Sequence, residues 1–404
     1  MKYKIPVGFP LITALIAAMA QSSTAAPLVS VGDNADIFFN GSSGLQWSSN
    51  VFRDEDDEED DLMWSLTPGF EFNLGRGASN ADLSVITRYE IRRYADLDEL
   101  DTELFSIQAN GAYRTSRLDL SASAYFREQK SSTGSENPAV SDDLIESDKL
   151  GGQVNGEYRF SPKFSFGAGF RYSETEYKEP YDNSFADRER FDIPLDLFYE
   201  LTPKVDLSAG YTYGETDVDG RIGLIQPVPN GPIFQYDITP YTTEDHFFNI
   251  GARGNLLPKL TGFFKVGYRM RDSDRPGASS ESTLGFDADL TWAATPKLTN
   301  SLSFSRDFGV GGEGLSSEDT SFGLSSNYSI NSYFAATAFA DYTLREFFRG
   351  DEDENQYRLG ARLNYTPNQY WNFSTGYTYS ENDSDRPQRS YEDHTIDLSA
   401  SLRY

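Results

Sequence analysis

The sequence predicts an all-β fold: a transmembrane, antiparallel outer-membrane β-barrel of about 18 strands, with 16 as the alternative count. Three observations predict it. Apolar and polar residues alternate with a period of two over most of the chain, short turns alternate with long acidic loops, and aromatic residues are abundant. Such a barrel turns its apolar face to lipid and its polar face to a hydrated lumen.

The chain begins with the features of a secretory signal. Lys2 and Lys4 precede a mostly apolar stretch, and small residues allow cleavage after Ala20 or, alternatively, after residue 25. We therefore expect a signal peptide over 1–20, a periplasmic segment over 21–35 and a barrel over 36–404. No later run of 18 apolar residues offers a helical span. The expected location is the bacterial outer membrane.

Composition narrows the class of protein further. The chain has no cysteine, which removes disulfides and thiolate metal sites, and its net charge of -28 opposes nucleic-acid binding. Only 38% of residues are hydrophobic, yet there are 29 Phe and 25 Tyr, as expected for aromatic belts around a barrel. The acidic run from Asp54 to Asp61 predicts a solvated loop; its alternative role is to bridge to lipopolysaccharide phosphates through divalent cations.

Strands and turns follow in a regular order. Prolines preset tight turns such as Thr202-Pro203-Lys204 and Thr295-Pro296-Lys297, and the intervening loops are longer and acidic. A large soluble β-sandwich has no reason to sort its loops in this way. The predicted strands lie near 36–52, 62–74, 82–94, 102–113, 117–129, 148–160, 164–177, 189–201, 205–216, 243–256, 260–272, 280–293, 298–309, 318–329, 333–346, 355–365, 370–382 and 391–404.

The last nine residues alternate without interruption from Ile396 to Tyr404. Their apolar set should face lipid, and the strand should pair with the first one to close the barrel. A final aromatic residue is similar to the closing-strand signal of bacterial outer-membrane barrels. Leu402 and Tyr404 are therefore predicted to form the assembly signal that the barrel-assembly machinery recognises.

The polar face of the strands supplies the candidate lumen residues. Charges of both signs point inward, where a polar solute would be solvated without strong selection of its charge. The alternative is that most of them only neutralise each other in cross-strand ion pairs. The lumen-lining candidates are Arg92, Arg127, Arg171, Arg253, Lys265, Arg269, Arg271, Arg358, Arg362, Asp287 and Asp289.

The loop from Asp217 to Thr242 differs from its acidic neighbours because it carries apolar residues among three prolines. Such a loop on the outer face could fold into the mouth as a plug, or it could pack on a neighbouring loop or a second barrel. The plug-loop candidates are Ile222, Leu224, Ile225 and Phe234.

No catalytic constellation is visible. His246 and His394 are the only histidines, and neither belongs to a serine motif; an outer-membrane hydrolase built on His394 is the weaker alternative to a rim histidine. The run from Asp351 to Glu354 lacks the spacing of a calcium loop. We predict no enzyme activity, no cofactor and no metal site.

Ser49-Asn50-Val51-Phe52, an acidic loop and Leu66-Thr67-Pro68-Gly69-Phe70 resemble the opening hairpin of the putative type-2 β-barrel porins. The resemblance implies a barrel associated with exopolysaccharide export, and a periplasmic export partner follows from that function. The favoured function is passage of an exported polysaccharide, and a general diffusion porin comes second. A surface-binding or structural barrel, whose loops contact ligands or lipopolysaccharide, is the third hypothesis.

Overall fold

The computed structural model describes residues 26–32, 34–75, 79–132, 143–225, 234–348, 352–386 and 389–404. The predicted signal peptide lies outside them. None of the helical segments in these ranges is long and apolar enough to cross a membrane. The strands are β1 (Val29–Val31), β2 (Ala35–Ser48), β3 (Asp61–Leu74), β4 (Ala81–Tyr94), β5 (Thr102–Arg114), β6 (Leu118–Ser131), β7 (Ile145–Arg159), β8 (Phe164–Tyr177), β9 (Arg188–Thr202), β10 (Val205–Val218), β11 (Arg221–Ile225), β12 (Phe234–Ile238), β13 (Tyr241–Leu257), β14 (Leu260–Ser273), β15 (Glu281–Trp292), β16 (Leu298–Val310), β17 (Ser316–Ser329), β18 (Phe334–Phe347), β19 (Asp353–Tyr365), β20 (Trp371–Ser384) and β21 (Tyr391–Arg403).

With β1, β11 and β12 set aside, the remaining eighteen strands form one closed antiparallel barrel. Each strand pairs with its neighbours along the chain, and β10 pairs directly with β13. The last strand closes the ring on the first, from Asn40 opposite Arg403 to Ser48 opposite Thr395. The predicted fold class and the strand count of 18 are confirmed.

The period-two pattern decides which face of each strand meets lipid. Leu398 is 53% exposed on the outer face, and Asp397 beside it points inward to Arg362. Because side chains alternate across a pleated strand, the same division holds along the whole barrel. The wall therefore has an apolar outside and a charged inside.

Short turns occupy one rim and long loops the other. In the turn after β9, the Thr202 hydroxyl accepts the N–H groups of Lys204 and Val205 at 3.3 and 3.1 Å. Proline fixes the backbone between them, so the hydroxyl satisfies groups that no strand partner reaches. The closing end of β21 and the start of β2 also lie at this short-turn rim.

The compact apolar packing lies in the long loops rather than inside the barrel, because the lumen face is polar. Phe52 from the acidic first loop packs with Leu100 and Leu144. Ile145, Tyr177 and Phe185 form a second cluster; Ala186, Val218 and Tyr241 form a third. The outer end of the lumen, hereafter the mouth, is therefore surrounded by loops that pack on each other.

One seam of the barrel is incomplete at its outer end. β15 pairs with β16 from Trp292 opposite Asn300 up to Phe286 opposite Arg306, and no pair is found above that point in these fully described strands. Both strands continue outward, and β15 remains paired with β14 as far as Glu281. The outer end of β16 therefore leaves the wall.

Candidate functional site

All eleven predicted lumen residues lie on the inward face, by their alternation with exposed apolar neighbours. The structure does not bring them together at one place. Seven of them form a buried group along β8 to β15, and Arg358 and Arg362 form an exposed group on β19. Arg92 on β4 and Arg127 on β6 lie apart from both groups. These two walls of the lumen have different physical roles.

The buried wall centres on Asp245. Its two carboxylate oxygens accept from Arg271 at 2.6 and 2.7 Å, and Arg190 reaches the same carboxylate at 3.0 Å. Arg271 also donates to the carbonyl of Gly309 at 2.9 Å, and its side chain is only 2% exposed. A buried arginine needs such partners, because an unpaired charge in this position is costly.

Two further charge groups lie nearer the short-turn rim on the same wall. Arg253 makes a bidentate pair with Glu157 at 2.7 and 2.8 Å and also contacts Asp206 at 3.2 Å. Lys265 binds Asp196 at 2.8 Å. The Arg253–Glu157 and Lys265–Asp196 pairs join strands that are not neighbours, so they thicken the wall inward and fill that side of the lumen.

The opposite wall is open to solvent. Arg358 is 58% exposed and lies 3.9 Å from Asp341, and Arg362 is 49% exposed and pairs with Asp397 at 3.0 Å. Their guanidinium groups retain free space beside β18 and β19. The free cross-section of the lumen therefore runs along this wall.

Flat aromatic rings also line the lumen. Tyr125 lies over Gly151 and Phe339 over Gly360; a Cβ on either glycine would approach the ring within 2.6 Å. Glycine thus leaves room for each ring to lie flat against the wall. Arg358 stacks 5.0 Å from the Phe339 ring, which places hydrogen-bond donors beside an apolar surface.

The mouth is crossed by the tip of the hairpin that joins β16 to β17, residues 311–315. The Ala186 N–H donates to the carbonyl of Gly312 at 2.8 Å, and the Tyr241 hydroxyl donates to the carbonyl of Gly314 at 2.7 Å. Arg188 of β9 donates to the carbonyl of Val310. The hairpin tip therefore reaches β9, β13 and the β8–β9 loop, across the outer end of the buried wall.

Arginines hold the hairpin tip from two sides. From the β14–β15 loop, Arg275 donates to the carbonyl of Gly314 at 2.9 Å. From the β20–β21 loop, Arg386 and Arg389 bind the Glu313 carboxylate at 2.5 and 2.7 Å. The ion pairs of Glu313 with these two arginines are called the latch below.

Sequence reasoning missed this element, although a signal was present. The sequence Asp-Ser-Asp-Arg-Pro occurs twice, at 272–276 and 383–387, and its two arginines are Arg275 and Arg386. A glycine-rich segment, 309–314, separates the two occurrences. A repeated motif with one arginine in each copy could have been matched to the hairpin between them.

The latch carboxylate is ionised at neutral pH. Burial alone would raise the pKa of Glu313, but the guanidinium groups of Arg389 and Arg386 outweigh it and hold the pKa below its ordinary value. The latch is thus a permanent charge pair rather than a switch that titrates near pH 7.

A cavity of about 370 Å³ lies beneath the hairpin. Its lining carries Arg171, Arg190 and Arg269 among aspartates, with Phe247 and Phe308 at its side. Arg269 pairs with Asp307 at 2.8 Å and stacks 3.8 Å from the Phe247 ring. Most of the charge is thus neutralised in place.

The plug-loop candidates lie on β11 and β12, which form a separate two-stranded hairpin. Its base is attached to the β8–β9 loop, where the Ile222 N–H donates to the carbonyl of Asn183 at 2.8 Å. Residues 226–233 lie outside the described residues, and the positions of the side chains of Leu224, Ile225 and Phe234 are not described. The plug role of this loop stays a prediction.

Both histidines lie on the lipid-facing side between tyrosines. His246 contacts the Tyr211 hydroxyl at 2.8 Å and stacks near Tyr213. His394 contacts Tyr377 in the same way, next to Tyr379. Neither histidine points toward the lumen carboxylates. Within the described residues, no group of three or more His, Asp or Glu side chains is arranged to hold a metal ion.

A closed barrel of eighteen strands with an apolar outer face and a charged lumen defines the class: a porin-like outer-membrane β-barrel. The family described as "Putative beta-barrel porin 2" matches residues 40–404, so the chain belongs to that family. No curated protein matches the chain.

Solved structures of outer-membrane receptors are similar at low identity. The siderophore receptor PiuA from Acinetobacter baumannii is 9% identical, with 91% of this chain and 82% of that chain covered and a TM-score of 0.48. A variant of the ferric enterobactin receptor PfeA from Pseudomonas aeruginosa, in complex with enterobactin, is 11% identical; the coverages are 91% and 81% and the TM-score is 0.48. The ferric-catecholate import receptor Fiu from E. coli K12 is 9% identical, with coverages of 94% and 82% and a TM-score of 0.47.

Proposed function

We propose that this barrel is a pore that passes a hydrophilic molecule along its β18–β21 wall, and that its cargo is an exported exopolysaccharide. The exposed lumen charges carry the proposal: Arg358 and Arg362 remain half-exposed inside the barrel, whereas the opposite wall is filled by ion pairs. A wall of hydrated charges of both signs favours a polar solute over an apolar one.

The flat rings favour a saccharide. A pyranose ring has an apolar C–H face and hydroxyl groups at its edge. The Phe339 ring offers an apolar contact to the C–H face. The Arg358 guanidinium beside it offers hydrogen-bond donors to the hydroxyl groups. Repeated weak contacts of this kind would let a polymer slide without being retained.

The open wall predicts the ion selectivity of the pore. The double substitution Arg358→Glu/Arg362→Glu changes the lumen charge by four and should raise the cation-to-anion permeability ratio about twofold or more. Reversal potentials in planar bilayers measure this ratio. They are recorded at low salt, because at physiological ionic strength the potential of an exposed charge is screened within about 8 Å. Arg93→Glu, on the outer face of β4, is the matched control and should leave the ratio unchanged. Equal ratios in wild type and the double variant would refute the proposed path.

Cargo is tested in cells. Deletion of the gene should abolish surface polymer while the uptake of small solutes persists, and a neighbouring set of polysaccharide synthase genes would support the same proposal. The mixed signs of the open wall favour a second function, general diffusion of small solutes. Loss of small-solute uptake with surface polymer intact would support that function instead.

A periplasmic export partner would meet the short-turn rim. This rim carries lysines in an otherwise acidic protein, and Lys259 and Lys297 each bind a carbonyl of the neighbouring turn, at 3.0 and 2.9 Å. An acidic face on the partner would complement them. The lysines of this rim are Lys163, Lys204, Lys259 and Lys297.

A further inference from the structure

At the outer end of β16, the face that is patterned for lipid packs against the inner face of the barrel wall. Phe304 pairs with Phe322, which is exposed to lipid, and Phe308 has the same parity four residues on. Yet Phe308 is buried, stacked 5.0 Å from the guanidinium of Arg271 on the lumen side of β14. A residue patterned for lipid thus packs against the inner face of the wall.

The partner that β16 lacks has the complementary pattern. Leu284 on β15 is 59% exposed and lies beyond the last pair, Phe286 opposite Arg306. Continuing that register by two residues would set Leu284 opposite Phe308, with both side chains toward lipid. Open strand edges are unfavourable at membrane depth, so this register would also satisfy the free edge of β15.

We propose that the hairpin β16–β17 is a gate with two positions. In the observed position it crosses the mouth and the latch holds it. In the second position β16 pairs with β15 as far as Ser282, which closes the seam and clears the mouth. The gate rests on the proposed pore, because it regulates passage through that lumen.

The latch sets the balance between the two positions. The second position releases the ion pairs of Glu313 and the hydrogen bonds that the hairpin carbonyls accept from Arg188, Arg271 and Arg275, from the Tyr241 hydroxyl and from the Ala186 N–H. It gains strand pairing and lipid contact for Phe308. The charge-assisted hydrogen bonds of the latch oppose the new ladder bonds, so removing the charge of Glu313 shifts the balance toward the second position.

Disulfide trapping tests the second position directly, since the chain has no cysteine of its own. Leu284→Cys/Phe308→Cys should cross-link in isolated membranes only if β16 reaches the wall. The positive control is Ala288→Cys/Phe304→Cys, a pair that is already opposite in the same seam. A control pair that cross-links while Leu284→Cys/Phe308→Cys does not would overturn the proposal.

Trapping the observed position is the complementary experiment. A Cβ on Gly314 would lie 3.4 Å from the Cβ of Ala186, close to the spacing of a disulfide. Gly314 has φ +62, a conformation that strains a cysteine, so the single variants serve as controls. Oxidised Ala186→Cys/Gly314→Cys should conduct less than the reduced form, and equal conductance would overturn the gate.

A variant without cysteine gives an independent reading. Glu313→Gln should raise the fraction of open channels about tenfold, which corresponds to about 1.4 kcal/mol. Glu58→Gln, which removes the same charge from an exposed position in the first loop, should leave it unchanged. Cross-linking of Leu284→Cys/Phe308→Cys without conductance in any variant would support the two positions of the hairpin and contradict the pore itself.

Discussion

Arg271→Ala is expected to lower the free energy of unfolding by about 3 kcal/mol, because it leaves the Asp245 carboxylate buried with one partner fewer. Breaking a buried ion pair costs about 3–5 kcal/mol, and the remaining contact from Arg190 places the loss at the lower end. Arg271→Lys should have a free energy of unfolding between those of the wild type and Arg271→Ala, since it keeps the charge and loses the bidentate geometry. Denaturant unfolding in detergent micelles measures these losses.

The matched control is Arg358→Ala on the open wall. It removes the same side chain from the same face of the barrel, but Arg358 is largely solvated and its carboxylate partner is 3.9 Å away. Exposed pairs of this kind contribute about 0–1 kcal/mol. Equal losses for the two alanine variants would contradict the division of the lumen into a buried and an open wall.

Leu402→Asp/Tyr404→Ser is expected to reduce the amount of assembled barrel in the membrane about tenfold or more. Leu402 lies opposite Gly41 and Trp371 on the lipid face of the closing seam. Tyr404 completes the seam through backbone hydrogen bonds of 2.6 and 2.9 Å with Phe39. A carboxylate on this face and loss of the final ring remove both the lipid contact and the predicted assembly signal.

Ser399→Asp/Ser401→Asp is the control, on the same strand but on the lumen face. Ser399 contacts the Ser374 hydroxyl at 2.8 Å in a hydrated environment, so added charge there should be tolerated. This holds although the control adds more charge than the lipid-face variant does. Heat-modifiable migration on gels reports the folded barrel in both variants. A control that assembles as poorly as the lipid-face variant would argue against a face-specific signal.

The hairpin and the plug loop show where sequence reasoning was limited. Alternation predicted β16 and β17 to within a residue or two. The apolar composition of 217–242 predicted a plug or a contact with a neighbouring loop or a second barrel, and this stays a prediction. No sequence pattern predicted that residues 311–315 lie across the mouth. Which hairpin turns inward depends on contacts with Ala186 and Tyr241, more than 70 positions away along the chain, and no local pattern contains that information.

The sequence by itself determined the barrel, its closure and the face of each strand apart from the outer end of β16, because a period of two leaves only one apolar side for lipid. It placed Arg271 and Arg358 on the same inner face and could not tell them apart. Tertiary structure decided that Arg271 is buried in an ion-pair network and that Arg358 lines free space. Burial inside a lumen depends on side chains from strands two or more places away, and the chain order does not encode those distances locally.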